Sequence, residues 1–178
     1  QTRSNTNGQP CVQLNSAVEQ VCQDWMQSAN RELALRTVFC GGNPVVAFDA
    51  EHLRRVLINL LDNALRHASA SAESIQVVTT ESTDRGVSLV VWSDGEPMEP
   101  SVERHLFEPF FSSQSRSTGL GLYICRELCA GHGASIGFSR TRRTVSQRPV
   151  TGNEFCIWFA QVRLRNGAQP SEKIVRTV

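Results

Sequence analysis

Val56-Leu57-Ile58-Asn59-Leu60-Leu61-Asp62-Asn63-Ala64-Leu65-Arg66-His67-Ala68 is the stretch from which the rest of the chain can be read. With Leu53, the residues Val56, Leu57, Leu60, Leu61, Ala64 and Leu65 recur at spacings of three and four, one apolar helical stripe among strong helix formers. The spacing predicts a core helix, with Asp49 as its cap. At about 100° per residue, Asn59 and Asn63 lie about 40° apart on the flank of the stripe, and Arg66 and His67 follow one turn on. Asn competes for backbone hydrogen bonds and is a mediocre helix former, so two of them a turn apart ask for a reason.

Two reasons are open from the helix alone. The amides can simply sit half in solvent. Alternatively, their oxygens can coordinate a hard, hydrated cation such as Mg²⁺, which is usually held together with substrate phosphates, while Arg66 faces phosphate charge.

The 178 residues are 40% hydrophobic and 20% charged with a net charge of +1, which fits one soluble domain and gives no global pull toward nucleic acid. No run of about 18 apolar residues occurs, so no segment reads as a membrane span, and the polar N-terminus is not a signal peptide. Residues 1–10, rich in Gln, Asn, Thr and Ser, read as a linker or a cut inside a longer protein. Residues 11–162 read as the domain, and 163–178 as a polar tail. The six cysteines make no Cys-x-x-Cys pair and no zinc-finger spacing, so they are expected as reduced thiols in a cytosolic protein.

Working outward, a helix is expected from Ser16 to Ala29 with Asn15 and Ser16 as caps, then strands at Leu33 to Cys40 and Val45 to Phe48 around the turn Gly41-Gly42-Asn43-Pro44. Ile75 to Thr79 and Val87 to Trp92 are β-branched runs joined through Thr83-Asp84-Arg85-Gly86, an antiparallel hairpin. The second strand runs into Ser93-Asp94-Gly95-Glu96-Pro97-Met98, a tight loop whose backbone can approach a ligand closely. A short helix at Val102 to Leu106 and the aromatic cluster Phe107 to Phe111 precede Ser112 to Thr118, which has no apolar side chain to bury and reads as a mobile lid. Gly119-Leu120-Gly121-Leu122 opens a second helix. Glycines at a helix start leave N–H groups free to meet an anion, although the same pattern also makes a plain tight turn. Ala134 to Phe138 and Glu154 to Val162 are the closing strands. Between them Arg140, Arg142, Arg143 and Arg148 read as a solvated connector, with docking to an acidic partner as the alternative.

In this order and spacing, the motifs resemble the ATP-binding domain of sensor histidine kinases, in the GHKL superfamily with gyrase, mismatch-repair and heat-shock chaperone ATPases. The N-box helix, the first glycine box at Asp94-Gly95, the Phe107 to Phe111 box and the second glycine box at Thr118 to Leu122 carry the resemblance, which covers about residues 11 to 160. The subgroup it looks most like is the pilus- or nitrogen-regulating kinases. The resemblance implies the Bergerat fold, an α+β two-layer sandwich with a mixed, mostly antiparallel sheet and helices on one face.

It also implies ATP and Mg²⁺ as ligands. Asn63 would bind Mg²⁺ and, with Asn59, is the catalytic candidate. Arg66 and His67 lie beside the phosphates. Ser93, Asp94, Gly95 and Met98 belong to the base pocket, and Thr118, Gly119, Leu120, Gly121 and Leu122 cradle phosphates. Two departures stand out. Without gaps the family's adenine-reading acid falls on Ser93 rather than Asp94, with Pro97 at the second glycine, and Ser117 replaces the first glycine of the second box. Strand alternation makes the choice between Ser93 and Asp94 matter.

Related ATPases place a Glu where this chain has Asn59, which cannot accept a proton, so fast hydrolysis is not expected. An imidazole acceptor brings its own nucleophile, and the domain need only position ATP and neutralise phosphate charge. That acceptor would lie on a His-containing dimerisation domain outside this chain, because His52, His67, His105 and His132 are not followed by an acid. A response regulator and a homodimeric parent protein are the implied partners, in the cytoplasm, with an inner-membrane anchor compatible with the parent chain. The alternatives are a degenerate pseudokinase module working through protein contacts and a serine kinase of the same fold. No P-loop pattern occurs, and Gly119-Leu120-Gly121 lacks the third glycine of a dinucleotide fingerprint.

Overall fold

The structure is a computed structural model and describes residues 3–4, 9–29, 35–84, 86–110 and 119–160. In chain order the elements are β1 (Arg3–Ser4), β2 (Pro10–Gln13), α1 (Leu14–Ala29), β3 (Leu35–Val38), β4 (Val45–Val46), α2 (Ala50–His67), β5 (Ile75–Ser82), β6 (Gly86–Ser93), α3 (Pro100–Arg104), α4 (Gly121–Gly131), β7 (Ser135–Val145) and β8 (Arg148–Phe159).

The expected core helix is α2. Asp49 caps it, accepting from the N–H groups of Glu51 at 2.9 Å and His52 at 3.0 Å. Leu53, Val56, Leu57, Leu60, Leu61 and Ala64 are buried, while Leu65, also assigned to the stripe, is half-buried. Each fully buried leucine contributes roughly 1.5–3 kcal/mol.

A five-stranded sheet in the order β3-β5-β6-β8-β7 lies under the helices; β3 and β5 are parallel and the other pairs antiparallel. Alternation along the strands sorts the two faces. Ile75, Val77, Leu89, Val91, Phe155, Ile157 and Phe159 share one core with α1, α2 and α4. Val90, Trp92, Cys156 and Val145 form a separate cluster on the other face. The fold is therefore the α+β sandwich expected, a mixed sheet with helices on one face. A smaller sheet, β1-β2-β4, stands beside it; Arg3 and Ser4, within the segment expected as a linker, pair with Cys11 and Pro10.

Several local expectations are corrected. The first helix starts at Leu14, and its cap is neither Asn15 nor Ser16: the Asn43 side-chain oxygen accepts from the Asn15 N–H at 2.9 Å, and Leu14 N–H donates to Pro44 O at 2.9 Å. The strand at 45–48 stops at Val46, the short helix is Pro100–Arg104 rather than Val102 to Leu106, and α4 begins at Gly121. The aromatic cluster is split: Phe107 sits edge-on to Phe155, whereas Phe110 is 79% exposed.

The largest correction concerns 139–153, expected as a solvated basic connector. It is the distal half of a long hairpin, β7 and β8 paired from Ser135↔Trp158 to Val145↔Arg148 around the two-residue turn Ser146-Gln147. The hairpin bends over the second sheet face. Trp92 Nε1 donates to Thr141 O across β8 at 3.2 Å, and Gln76 Nε2 donates to Thr144 O at 2.8 Å. Gly152 makes that crossing possible, since a Cβ there would run into the Ser93 carbonyl and the Trp92 ring.

All six cysteines are free. Burial pushes the Cys22, Cys125 and Cys129 thiols up to about 12, which keeps them protonated and unreactive at neutral pH. Among the described residues no helix is long and apolar enough to cross a membrane.

Candidate functional site

The site forms where α2 meets the start of α4 and the end of β6. Asn59 and Asn63 are both half-buried, and among the described residues neither side-chain amide has a hydrogen-bond partner within the protein. Two half-buried amides a turn apart on the core helix are thus left open to a ligand. Arg66 is anchored one turn along, its Nε donating to Asp62 O at 3.1 Å, and its charge remains exposed. Partial burial and the Arg66 charge hold His67 below its usual range, which favours neutral imidazole at pH 7.

α4 points its N-terminus at this helix. A Cβ on Gly121 would stand 3.4 Å from Asn59 Oδ1, and one turn further on the Cys125 thiol approaches Val56 O at 3.7 Å. Gly119 has φ +64°, a left-handed conformation that glycine adopts without strain. Leu120, at the N-cap position, offers no capping side chain. Among the described residues, the first N–H groups of α4 thus have no side-chain cap, an arrangement suited to an anion. Leu122 is half-buried in the first turn. Thr118 and the expected lid at 112–118 lie outside the described residues, as does Phe111.

At the other end, Ser93 and Asp94 face opposite ways. Asp94 turns toward the chain leaving α2, its two carboxylate oxygens accepting from Ser69 N–H at 2.8 Å and Ser69 Oγ–H at 2.5 Å, while its own N–H donates to Ser74 O. Ser93 pairs with Ile75 and Asn153, so its side chain lies on the helix face, and the residue is 4% exposed. Gly95 is wedged between α2 and β8; a Cβ there would come within 3.0 Å of both His67 O and Asn153 Nδ2. Met98 is half-buried against the main core.

Two residues of this region were read differently or missed from the sequence. Asn153, 3% exposed, donates from Nδ2 to Glu96 O at 3.0 Å. Its Oδ1 accepts from Arg140 Nη1 at 2.8 Å, and the same guanidinium donates to Gly95 O at 3.0 Å and to Thr151 O at 3.1 Å. Arg140, expected in a solvated loop, instead clamps the loop after β6. The signal available was the position of Gly152-Asn153 opposite Ser93, which becomes visible only once the register is known.

The donor set fits a nucleotide phosphate with a hard cation. Neutral amides and an exposed guanidinium lie on α2, whose Asn59 meets the start of α4, and among the described residues no group of three His, Cys, Asp or Glu could hold a metal by itself. The sequence model of histidine kinase-, DNA gyrase B- and HSP90-like ATPases matches residues 48–163, which spans every position above. The chain belongs to this ATPase family.

Its curated relatives include sensor kinases. Residues of this chain are 34% identical to the sensor protein kinase PilS of Pseudomonas aeruginosa over 125 positions, 68% of this chain and 22% of PilS. They are 28% identical to the sensor histidine kinase ZraS of Escherichia coli over 149 positions, 83% of this chain and 30% of ZraS. The chain thus spans under a third of either relative. The catalytic domain of the histidine kinase ThkA has the same fold, with a TM-score of 0.64 at 23% identity over 83% of this chain and 91% of that one. Membership of this ATPase family implies ATP as the ligand.

Proposed function

We propose that the chain is the ATP-binding catalytic domain of a two-component sensor histidine kinase. What supports this most is one observation: Asn59 and Asn63, open and half-buried on α2, stand against the uncapped start of α4 inside the family-matched region. In this reading the α4 N–H groups and Arg66 take phosphate charge. A Mg²⁺ ion, held by the Asn63 amide oxygen together with phosphate oxygens, would supply further charge neutralisation. An imidazole nitrogen of the acceptor His attacks the γ-phosphorus, the bond from that phosphorus to the β,γ-bridging oxygen breaks, ADP leaves, and the imidazole releases its proton to solvent. The protein's contribution is position and electrostatics. With Asn59 rather than a carboxylate beside the site, water is not activated and the phosphoryl group is kept for the acceptor.

The acceptor His belongs to a dimerisation domain of the parent protein, and the phosphoryl group passes on to a response regulator. The domain works in the cytoplasm as part of a homodimeric parent. Radiolabelled ATP supplied with a His-containing dimerisation domain tests the reading. Acid-labile, alkali-stable label on that domain, and none on this chain alone, is the expected result. Stoichiometric label on a histidine of this chain, or transfer only to serine, would contradict it.

A further inference from the structure

At the end of β6 the polar groups are nearly all committed. Asp94 gives both carboxylate oxygens to Ser69, Asn153 has its amide oxygen on Arg140 and its amide nitrogen on Glu96 O, and Arg140 is shared among Gly95 O, Asn153 and Thr151 O. One exception is Ser74 Oγ, fully buried without a partner among the described residues; the other is the Ser93 hydroxyl. It lies on the helix face, in a residue 4% exposed, with no partner among the described residues. Unlike that of Ser74, its oxygen is not wholly enclosed, and a hydroxyl without a protein partner in a buried residue is well placed to meet a ligand.

The place where the chain just after Ser93 meets α2 says which part of a ligand the hydroxyl would meet. Gly121 touches α2 at Asn59 and Gly95 touches it at His67. Eight residues of helix separate them, about 12 Å along the axis. An extended nucleoside triphosphate with its phosphates at the α4 N-terminus places its base at that far end.

Resting on the nucleotide-site reading above, we propose that the Ser93 hydroxyl reads the six-position of the purine, and that the domain takes 6-oxopurine triphosphates alongside ATP. A carboxylate at this point would accept only and would select a 6-amino group. A hydroxyl rotates to accept from an amino group or to donate to a carbonyl oxygen, so it satisfies adenine and hypoxanthine alike. The neighbouring carboxylate cannot restore selectivity, because Asp94 faces away and both of its oxygens are taken. Strong discrimination arises where a mismatched base leaves a buried group unpaired, and a rotating hydroxyl leaves none unpaired.

The test is calorimetric titration of the full 178-residue chain with non-hydrolysable ATP, ITP and GTP analogues in Mg²⁺, for the unmutated protein and for Ser93→Asp, Ser93→Ala and Asn63→Ala. The expected result is binding of the adenine and hypoxanthine analogues within about tenfold of each other, a preference for adenine widened to about a hundredfold or more in Ser93→Asp, and both weakened about fivefold in Ser93→Ala. The GTP analogue, which adds a 2-amino group, separates edge chemistry from room in the pocket. If Ser93→Asp does not fold, the parallel loss in Ser93→Ala still decides. Rejection of ITP by the unmutated chain, with Mg²⁺-dependent ATP-analogue binding abolished in Asn63→Ala, overturns the base reading alone. Failure to bind any nucleotide overturns both.

Discussion

Asn153 and Arg140, thirteen residues apart and opposite each other on β7 and β8, act as one clamp: Asn153 Oδ1 receives Arg140 Nη1 at 2.8 Å, and between them they hold the carbonyls of Gly95 and Glu96. The loop that follows β6 is thereby set by a hairpin that is distant in sequence.

Asn153→Ala removes one of the three acceptors of the Arg140 guanidinium and the donor to the Glu96 carbonyl, and a stability loss of about 1–3 kcal/mol is expected, with weaker nucleotide binding. Arg140→Lys does not restore either, because a single ammonium cannot reach three carbonyl and amide oxygens in the geometry of a fork. Urea melts and nucleotide titrations of the two variants check this; an unchanged midpoint in Asn153→Ala would show that the clamp is idle.

Gly152→Ala is expected to be among the most damaging single changes outside the nucleotide site. Its Cβ would meet the Ser93 backbone carbonyl and the Trp92 ring, neither of which can move without breaking β6 from β8 or lifting Trp92 off Thr141 O. Overpacking of this kind costs about 1–3 kcal/mol or more. Thermal melting reads it directly, and near-UV circular dichroism reports the displaced indole.

The turn of the same hairpin gives the opposite prediction. Ser146 and Gln147 hold φ +46° and +67°, left-handed values that favour Asn and Gly in a two-residue hairpin turn. Ser146→Asn with Gln147→Gly is expected to raise stability by about 0.5–2 kcal/mol without altering nucleotide affinity.

Stability should also fall on mild acidification. His67 and His132 are both held below the usual histidine range, His67 by partial burial and then Arg66, His132 by burial and then His52. The unfolded chain therefore takes up protons first as pH drops through about 6.5, and folding is weakened from there downward. Neutral His132 stacks on Phe48 at 4.3 Å and shares a proton with His52 at 2.9 Å, contacts that a second proton would oppose. Urea midpoints at pH 7.5 and 5.5 should differ, and the difference should shrink when His67 and His132 are both replaced by Gln. Asp49, held below the usual carboxylate range by the His52 and Glu51 N–H groups, acts only at much lower pH.

What could be read from the sequence was what depends on neighbours in the chain. The α2 stripe, the Asp49 cap and the β5 and β6 hairpin are set by periods and caps spanning a few residues, and each stands where expected. The start of α1 was misread because its cap, Asn43, lies twenty-eight residues away from Asn15. The 139–153 hairpin was hidden for a different reason. Its arginines and threonines carry no apolar alternation, because Arg140 turns to the loop after β6 and Arg143 to Glu154, and near the turn Val145 enters a core with Val150 packed against it. Its turn also lacks the Asn-Gly signal. For the candidate site, the amides of α2 and the glycines of α4 were legible as motifs, while the opposite orientations of Ser93 and Asp94 needed the register of β6 against β5 and β8.

The most direct test of the nucleotide site is calorimetric titration with a non-hydrolysable ATP analogue, with and without Mg²⁺, on the unmutated chain and on Asn63→Ala. The assignment of Asn63 to the cation and phosphates predicts Mg²⁺-dependent binding that Asn63→Ala weakens by at least about tenfold while its thermal midpoint stays put, since the side chain has no partner within the described protein to lose. Equal binding by both proteins, or binding indifferent to Mg²⁺, would contradict it.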